Sequence, residues 1–161
     1  MSDIIAFLKD HWILTVLGIV MLWSRYRMKV QAAAMENIPG SLVKKIESDA
    51  EWKDMVKQAD GKIILVDFYA TWCGPCVRAA PIFAKISQES AKLNIELWKV
   101  DVDGPHTISK RESVSCMPTF KFYRVSNGSM VELETIQGWA EQTVRTSIAK
   151  YTVSSKIKEE K

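Results

Sequence analysis

Residues 63–76 read IILVDFYATWCGPC, and this stretch constrains the architecture of the 161-residue chain more than any other. Its first seven residues are apolar and rich in β-branched side chains apart from Asp67, a pattern typical of a strand buried on both faces of a sheet. A buried carboxylate is costly unless it is paired or protonated, so Asp67 is a candidate functional residue. The pair Cys73 and Cys76 indicates redox chemistry, although half of a zinc site has the same spacing.

The chain on both sides of this stretch alternates between predicted strands and helices. The predicted elements, in chain order, are a short strand near Val43 to Ile46, a helix from an N-cap at Asp49 to about Ala59, the strand Ile63–Tyr69, a helix from Cys73 to about Ser90 kinked at Pro81, the strand Ile95–Val102, a helix over about Thr107–Glu112, the strand Met117–Tyr123, a hairpin turn at Asn127-Gly128 into Met130–Ile136, and a closing helix over Glu141–Tyr151. This order predicts an α/β fold with a mixed central sheet and helices on both faces.

The charge of this region is balanced. Residues 41–149 hold 14 Lys and Arg against 14 Asp and Glu, and the whole chain has a net charge of only +3. A neutral domain lacks the basic surface that nucleic-acid binding needs, so nucleic acid is excluded as a partner. Three cysteines are too few for a disulfide scaffold, and about 110 residues can bury a core without one.

The N-terminal segment is apolar from residue 4 to residue 23, apart from four polar side chains, and twenty helical residues would span about 30 Å. We therefore expect an N-terminal hydrophobic helix, a signal anchor over residues 1–29 that contacts a membrane through residues 4–24. The uninterrupted apolar part, Trp12–Trp23, would also suit a signal-peptide core. The alternative is a buried or partner-binding helix of a soluble protein.

Basic residues follow this apolar run at Arg25, Arg27 and Lys29. By the positive-inside rule they predict a single-pass protein whose folded domain faces the cytosol. A short anchor with a basic flank resembles signal-anchored proteins of the mitochondrial outer membrane, with the endoplasmic reticulum as the alternative location. A linker or frayed helix over residues 30–40 would then lead into a domain over residues 41–151.

The last ten residues, 152–161, are polar, and we expect a frayed tail.

The motif Trp72-Cys73-Gly74-Pro75-Cys76, with Asp67 six residues earlier, Pro81 five residues later and Met117-Pro118-Thr119 far along the chain, resembles the thioredoxin family. The resemblance covers roughly residues 41–150. It implies the thioredoxin fold and a protein-disulfide reductase that works by dithiol–disulfide exchange. It also implies no bound cofactor, electrons from NADPH through thioredoxin reductase, and disulfide-containing client proteins as further partners.

The two cysteines would have different roles. Cys73, at the start of a helix, would be the nucleophile, because unpaired amides and the helix dipole stabilise a thiolate there. Cys76, one turn later, would resolve the mixed disulfide. By resemblance, Asp67 lies beneath Cys76 and accepts its proton, and Lys99 lies near that carboxylate and tunes its pKa. The alternatives are a purely structural partner for Asp67 and a solvent-reaching strand lysine for Lys99.

The resemblance also implies a substrate groove. Pro118 matches the cis-proline of the family, and the backbone of Met117 would pair with an extended client segment. The apolar rim that clients touch would consist of Trp72, Gly74, Pro75, Gly138 and Trp139. A trans-proline and ordinary packing of Trp139 are the alternatives. Cys116 beside the groove is either an inert apolar residue or a regulatory thiol open to oxidation.

Three other functions remain open at this point. An oxidase or isomerase of a secretory lumen would share the fold, although Gly-Pro between the cysteines favours a reductant. A zinc-binding module would use Cys73, Cys76, Cys116 and His106. A membrane-tethered adaptor would carry vestigial cysteines.

Overall fold

The computed structural model describes residues 11–104 and 106–159, without the side chains of His106 and residues 154–159. The helices and strands of this part of the chain are, in order, α1 (Trp12–Glu36), β1 (Lys44–Ile46), α2 (Asp49–Gln58), β2 (Ile63–Tyr69), α3 (Gly74–Glu89), β3 (Ile95–Asp101), α4 (His106–Arg111), β4 (Thr119–Ser126), β5 (Ser129–Gln137) and α5 (Glu141–Glu159). The element order after α1 is the predicted one.

The five strands of the described chain form one mixed sheet in the order β1-β3-β2-β4-β5. Strands β1, β3 and β2 are parallel, whereas β4 is antiparallel to β2 and to β5. Every residue of the central strand β2 is buried. The predicted α/β architecture with a mixed sheet is therefore confirmed.

Alternate side chains of β2 enter two hydrophobic clusters, because successive residues of a strand face opposite sides of the sheet. Ile64, Val66 and Phe68 join the cluster that contains Trp52 and Met55 of α2 and Ile108 of α4. Ile63 and Leu65 join the cluster that contains Phe83 and Ile86 of α3 and Val144 and Ile148 of α5. The helices thus cover both faces, as expected, and they hold β2 at the centre of the core.

The N-cap of α2 is Ser48, not Asp49 as predicted. Ser48 has extended backbone angles, and its hydroxyl accepts a hydrogen bond from the Glu51 N–H at 3.2 Å. The Glu51 carboxylate in turn accepts from the N–H of Glu47 at 2.7 Å, one residue further back than in the usual capping box. Asp49 is the first helical residue and pairs instead with Arg111 at 2.9 Å.

The hairpin between β4 and β5 turns at Asn127 and Gly128, as predicted. Their φ angles are 52° and 71°, and two positive φ values are those of the type I′ turn that Asn-Gly favours. Strand β4 begins at Thr119 rather than at Met117, because Pro118 has no N–H to contribute to the ladder.

Both ends of the described chain are more helical than predicted. Helix α1 continues to Glu36 and includes residues 30–36, where three consecutive alanines favour a helix over a linker. Helix α5 continues to Glu159, eight residues past the predicted end at Tyr151. Thr152, expected in a frayed tail, is buried, and its hydroxyl donates to the Ile148 carbonyl at 2.8 Å.

The predicted membrane anchor is not supported. Among the residues that the structure describes, no helix is long and apolar enough to cross a membrane. The apolar run Trp12–Trp23 extends for only about 18 Å at 1.5 Å per residue, against about 30 Å of hydrocarbon, and Arg25 follows two residues later. This finding overturns the predicted mitochondrial outer-membrane or endoplasmic-reticulum location and its topology. Residues 4–10 of the predicted span lie outside the described residues.

Candidate active site

Cys73 lies at the junction between β2 and α3, where it is the N-cap residue of the helix. Its Sγ accepts a hydrogen bond from the backbone N–H of Cys76 at 3.4 Å. Gly74 and Pro75 form the first two helical positions, and proline is tolerated there because the N–H it lacks has no partner within the helix. The sulfur of Cys73 therefore lies at the positive end of the helix dipole.

The two thiols differ in access. Cys73 is 6% exposed, Cys76 is fully buried, and both are free. Burial raises the pKa of the Cys76 thiol well above its ordinary range, and the neighbouring Cys73 and Asp67 raise it further. The Cys76 thiol is therefore held in its protonated form, and of these two sulfurs only Cys73 belongs to a residue with any exposed surface.

Asp67 lies in the middle of β2 with only 4% of its surface exposed. Its Oδ1 has no hydrogen-bond partner among the described residues. Burial raises the pKa of this carboxyl to about 7, although the positive charge of Lys99 opposes the shift. A carboxyl with this pKa takes up and releases a proton near neutral pH.

Lys99 is the register partner of Asp67 on β3. Its Nζ donates to the backbone carbonyl of Met35 at 2.9 Å and lies 5.6 Å from the centre of the Tyr69 ring. Burial lowers the pKa of this ammonium group. The charge of Lys99 favours the ionised form of Asp67, while its ammonium is bound by the Met35 carbonyl.

The chain before β4 meets the cysteines from the opposite side. The Met117–Pro118 peptide bond is cis, as the resemblance implies, and the Cys73 thiol donates to the Met117 carbonyl at 3.5 Å. The Gly138 N–H donates to the Pro118 carbonyl at 2.8 Å, with a φ of +79° that suits glycine. Residues far apart in sequence are thus brought to one site.

The predicted rim residues differ in exposure. Trp72 is 55% exposed, and its Nε1 donates to an Asp103 carboxylate oxygen at 2.6 Å. Gly74 and Pro75 are exposed as well. Trp139 is half-buried, with its ring centre 5.4 Å from that of Phe120, so it is largely engaged in packing.

Cys116 is half-buried, and its Sγ lies 3.6 Å from the Thr119 hydroxyl. That hydroxyl donates to the Cys116 carbonyl at 2.8 Å. Within residues 11–104 and 106–159, no three His, Cys, Asp or Glu side chains form a group that could hold a metal ion, so the three cysteines do not converge. The side chain of His106, the fourth residue of the conceivable zinc set, lies outside the described part.

Met35 is a site residue that sequence reasoning missed. It is 5% exposed, and it packs into a cluster with Tyr69, Ala70, Cys73 and Cys76. It lies 38 residues before Cys73, in a segment predicted as a linker or frayed helix, and nothing in the local pattern indicates this contact.

Comparisons with known proteins agree with this site. Residues 43–150 match the family model for thioredoxin. The chain is 38% identical over 107 residues to thioredoxin from Ictalurus punctatus, a match that covers 66% of this chain and 96% of that protein. It is 37% identical over 110 residues to thioredoxin 1 of Plasmodium falciparum, with coverage of 68% and 98%.

The X-ray structure of Fasciola hepatica thioredoxin superposes with a TM-score of 0.60 at 31% identity, covering 67% of this chain and 98% of that one. The fold and the dithiol together define a thiol-disulfide oxidoreductase. The chain belongs to the thioredoxin family.

Proposed function

We propose that this protein reduces disulfides of client proteins, with Cys73 as the nucleophile and Cys76 as the resolving thiol. The observation that carries the proposal is the position of Cys73, whose sulfur caps α3 and accepts the Cys76 N–H at 3.4 Å. One sulfur is placed to receive negative charge, and the second follows one helical turn later.

The first step forms a mixed disulfide. The thiolate of Cys73 attacks one sulfur of the client disulfide, the client S–S bond breaks, and its other sulfur leaves as a thiolate that takes up a proton. Helix amides stabilise the attacking thiolate before the reaction. The Met117 carbonyl lies beside Cys73, so an extended client segment that pairs with this backbone would carry its sulfur to the nucleophile.

The apolar rim would hold the client in place. It comprises Trp72, Gly74, Pro75, Gly138 and Trp139.

The second step releases the client. Asp67 takes the proton of Cys76, whose thiolate attacks the Cys73 sulfur; the mixed disulfide breaks and the Cys73–Cys76 disulfide forms. The last client sulfur leaves as a thiolate and is protonated. Asp67 suits this role because burial raises its pKa to about 7, so at neutral pH a large fraction is ionised and can accept a proton.

The oxidised protein must then be reduced again. Members of the thioredoxin family generally work with thioredoxin reductase, and we propose that this enzyme supplies two electrons from NADPH to the Cys73–Cys76 disulfide. This chain would need no cofactor of its own, since the electrons reside in its two sulfurs.

The test is insulin reduction by the full chain with NADPH and thioredoxin reductase, monitored by NADPH consumption. We expect turnover with the parent protein and none with Cys73→Ser. The redox potential separates this function from a lumenal oxidase: a value near the −270 mV of thioredoxin supports the reductase, and one of about −120 to −180 mV contradicts it.

A further inference from the structure

We propose that Met35 is a positioning residue of the redox site, which closes the cavity beside Asp67 with its side chain and holds Lys99 away from that carboxyl with its carbonyl group. The inference rests on the proposed function, because it gives the end of α1 control over the group that accepts the Cys76 proton. It extends the site into a segment outside residues 43–150, where the family model matches.

The contact of Met35 with the site stands out within its own helix. Met35 is the buried residue of α1, whose large apolar side chains between Trp12 and Val30 are mostly exposed. Its side chain packs with Cys73 and Cys76, and Met117 lies against the same cluster. An unbranched thioether adapts well to an irregular gap of this kind. The end of α1 therefore forms part of the wall around the two thiols.

Several contacts hold the end of α1 in this place. Glu36 pairs with Lys45 of β1 at 2.5 Å, and Lys45 also pairs with Glu47 at 2.7 Å. Beyond the helix, the Leu42 N–H donates to the Ser87 hydroxyl of α3 at 3.0 Å. These contacts tie the residue after Met35 to β1 and the segment that follows α1 to α3, so the position of Met35 depends on more than its own packing.

Met35 and Asp67 both line a small cavity. Its volume is about 20 Å³, enough for about one water molecule. Met35, Ile38, Asp67, Tyr69 and Lys99 are among the residues that line it. The Tyr69 hydroxyl, like Asp67 Oδ1, is buried without a hydrogen-bond partner among the described residues. The Met35 side chain limits the water that can reach these two groups.

The carbonyl of Met35 acts on Lys99. Lys99 faces Asp67 in the β2–β3 register, but its ammonium donates to Met35 at 2.9 Å. An ammonium that bonded Asp67 directly would stabilise the carboxylate and make it a weaker base. Water and a directly bonded cation would each lower the pKa of the Asp67 carboxyl. The Met35 side chain limits the first, and the Met35 carbonyl, by binding Lys99, prevents the second.

The other titratable groups near Asp67 form two shells. Those that interact with Asp67 itself are Lys99 on β3, Tyr69 on β2 and Cys76 on α3. Glu36, Lys45 and Asp101 act on Tyr69 and Lys99, and Cys73 acts on Cys76. Glu36 and Lys45 neutralise one another in their ion pair. The two main influences on the pKa of Asp67 are then its burial and the charge of Lys99. The Met35 side chain contributes to the first, and the Met35 carbonyl fixes the position of the second.

The test measures ionisation of Asp67 directly, by the infrared carboxyl band that Asp67→Asn removes, in the full-length reduced protein across pH. In the parent we expect a midpoint at about pH 7. Met35→Ala opens the cavity to water, which favours the carboxylate, so the midpoint should fall by about one pH unit. Resolution of the mixed disulfide at pH 8 should then slow about threefold, since a weaker base removes the Cys76 proton less readily.

Two control variants separate this role from general loosening. Met35→Leu fills nearly the same volume and should keep the parent midpoint. Met28→Ala truncates a methionine of the same helix that is 41% exposed, and it should also leave the midpoint unchanged. If Met35→Ala titrates like Met28→Ala, the inference is overturned.

The infrared titration is independent of turnover. A shifted midpoint in a protein that fails to reduce insulin would contradict the proposed function and leave the positioning role intact. If the parent protein reduces insulin normally and Met35→Ala leaves the midpoint unshifted, the proposed function stands and the positioning role of Met35 is contradicted.

Discussion

Lys99 and Asp67 face each other on adjacent strands, yet the Lys99 ammonium bonds to the Met35 carbonyl 2.9 Å away and the Oδ1 of Asp67 has no partner among the described residues. The lysine therefore influences the carboxyl only through its field. Since burial outweighs that field, the pKa of Asp67 rises to about 7. We propose that this carboxyl is the base for the Cys76 proton, and several predictions depend on it.

Replacing Lys99 by methionine should raise the midpoint at which Asp67 ionises above that of the parent. The substitution removes the positive charge that favours the carboxylate and keeps an apolar chain of similar length. The infrared carboxyl titration measures the shift. Lys92→Met removes a charge at an exposed position and serves as the control. Equal midpoints in the two variants would show that Lys99 has no influence on the carboxyl.

The Asp67→Asn variant should be more stable than the parent at pH 8 but not at pH 4. Because the pKa of Asp67 is higher in the folded protein than the ordinary value of 3.8, the folded state holds the proton more tightly. The stability of the parent therefore falls as pH rises from about 4 to about 7, by about 2–4 kcal/mol, and stays low above that range. Asparagine cannot ionise, so it avoids this loss.

Urea titrations at the two pH values measure the free energy of unfolding. Asp54→Asn, at an exposed position in α2, is the control. The prediction fails if the stability gain of Asp67→Asn is the same at pH 4 as at pH 8.

The same Asp67→Asn variant should reduce insulin at least about tenfold more slowly at pH 7, a threshold set below the roughly 10²–10⁴-fold that a positioned general base contributes. The first attack by Cys73 should be unaffected, so mixed disulfide should accumulate. Stopped reactions on nonreducing gels measure both effects. Unchanged turnover would exclude Asp67 as the proton acceptor.

The cysteine variants should separate the two steps of exchange. Cys73→Ser should form no mixed disulfide, whereas Cys76→Ser should trap clients covalently, because nothing remains to displace them. Cys116→Ser should behave like the parent, since its sulfur lies beside Thr119 and outside the cysteine pair. Nonreducing gels of protein incubated with oxidised clients measure the trapping. Covalent trapping by Cys73→Ser instead would reverse the assigned roles.

Alkylation of the folded, reduced protein should modify Cys73 before Cys76, by at least about tenfold in rate. Cys76 is fully buried, and its raised pKa leaves almost no thiolate, which is the reactive species. Peptide mapping by mass spectrometry after brief treatment with iodoacetamide measures the two rates. In urea the alkylation rates of Cys73 and Cys76 should become equal, because unfolding exposes both thiols. A difference that persists in urea would exclude burial as the cause of the slower reaction of Cys76.

Much of this protein can be predicted from local sequence. The apolar β2 with its single carboxylate, the cysteine pair at the start of α3 and the Asn127-Gly128 hairpin all follow from patterns within a few residues. Such patterns are informative because strand burial, helix starts and turn conformations depend on neighbouring side chains and on backbone geometry. The family resemblance added the cis bond before Pro118, which local chemistry alone does not require.

The remaining features depend on contacts between distant parts of the chain. The sequence did not reveal that Met35 packs on the cysteines, that Lys99 turns to its carbonyl, or that α1 runs unbroken through residues 30–36. It also suggested a membrane span where the apolar run is too short. The hydrophobicity of a segment shows how strongly it favours burial. Which surface it packs against, and which carbonyl or charge a polar side chain contacts, depends on the tertiary structure.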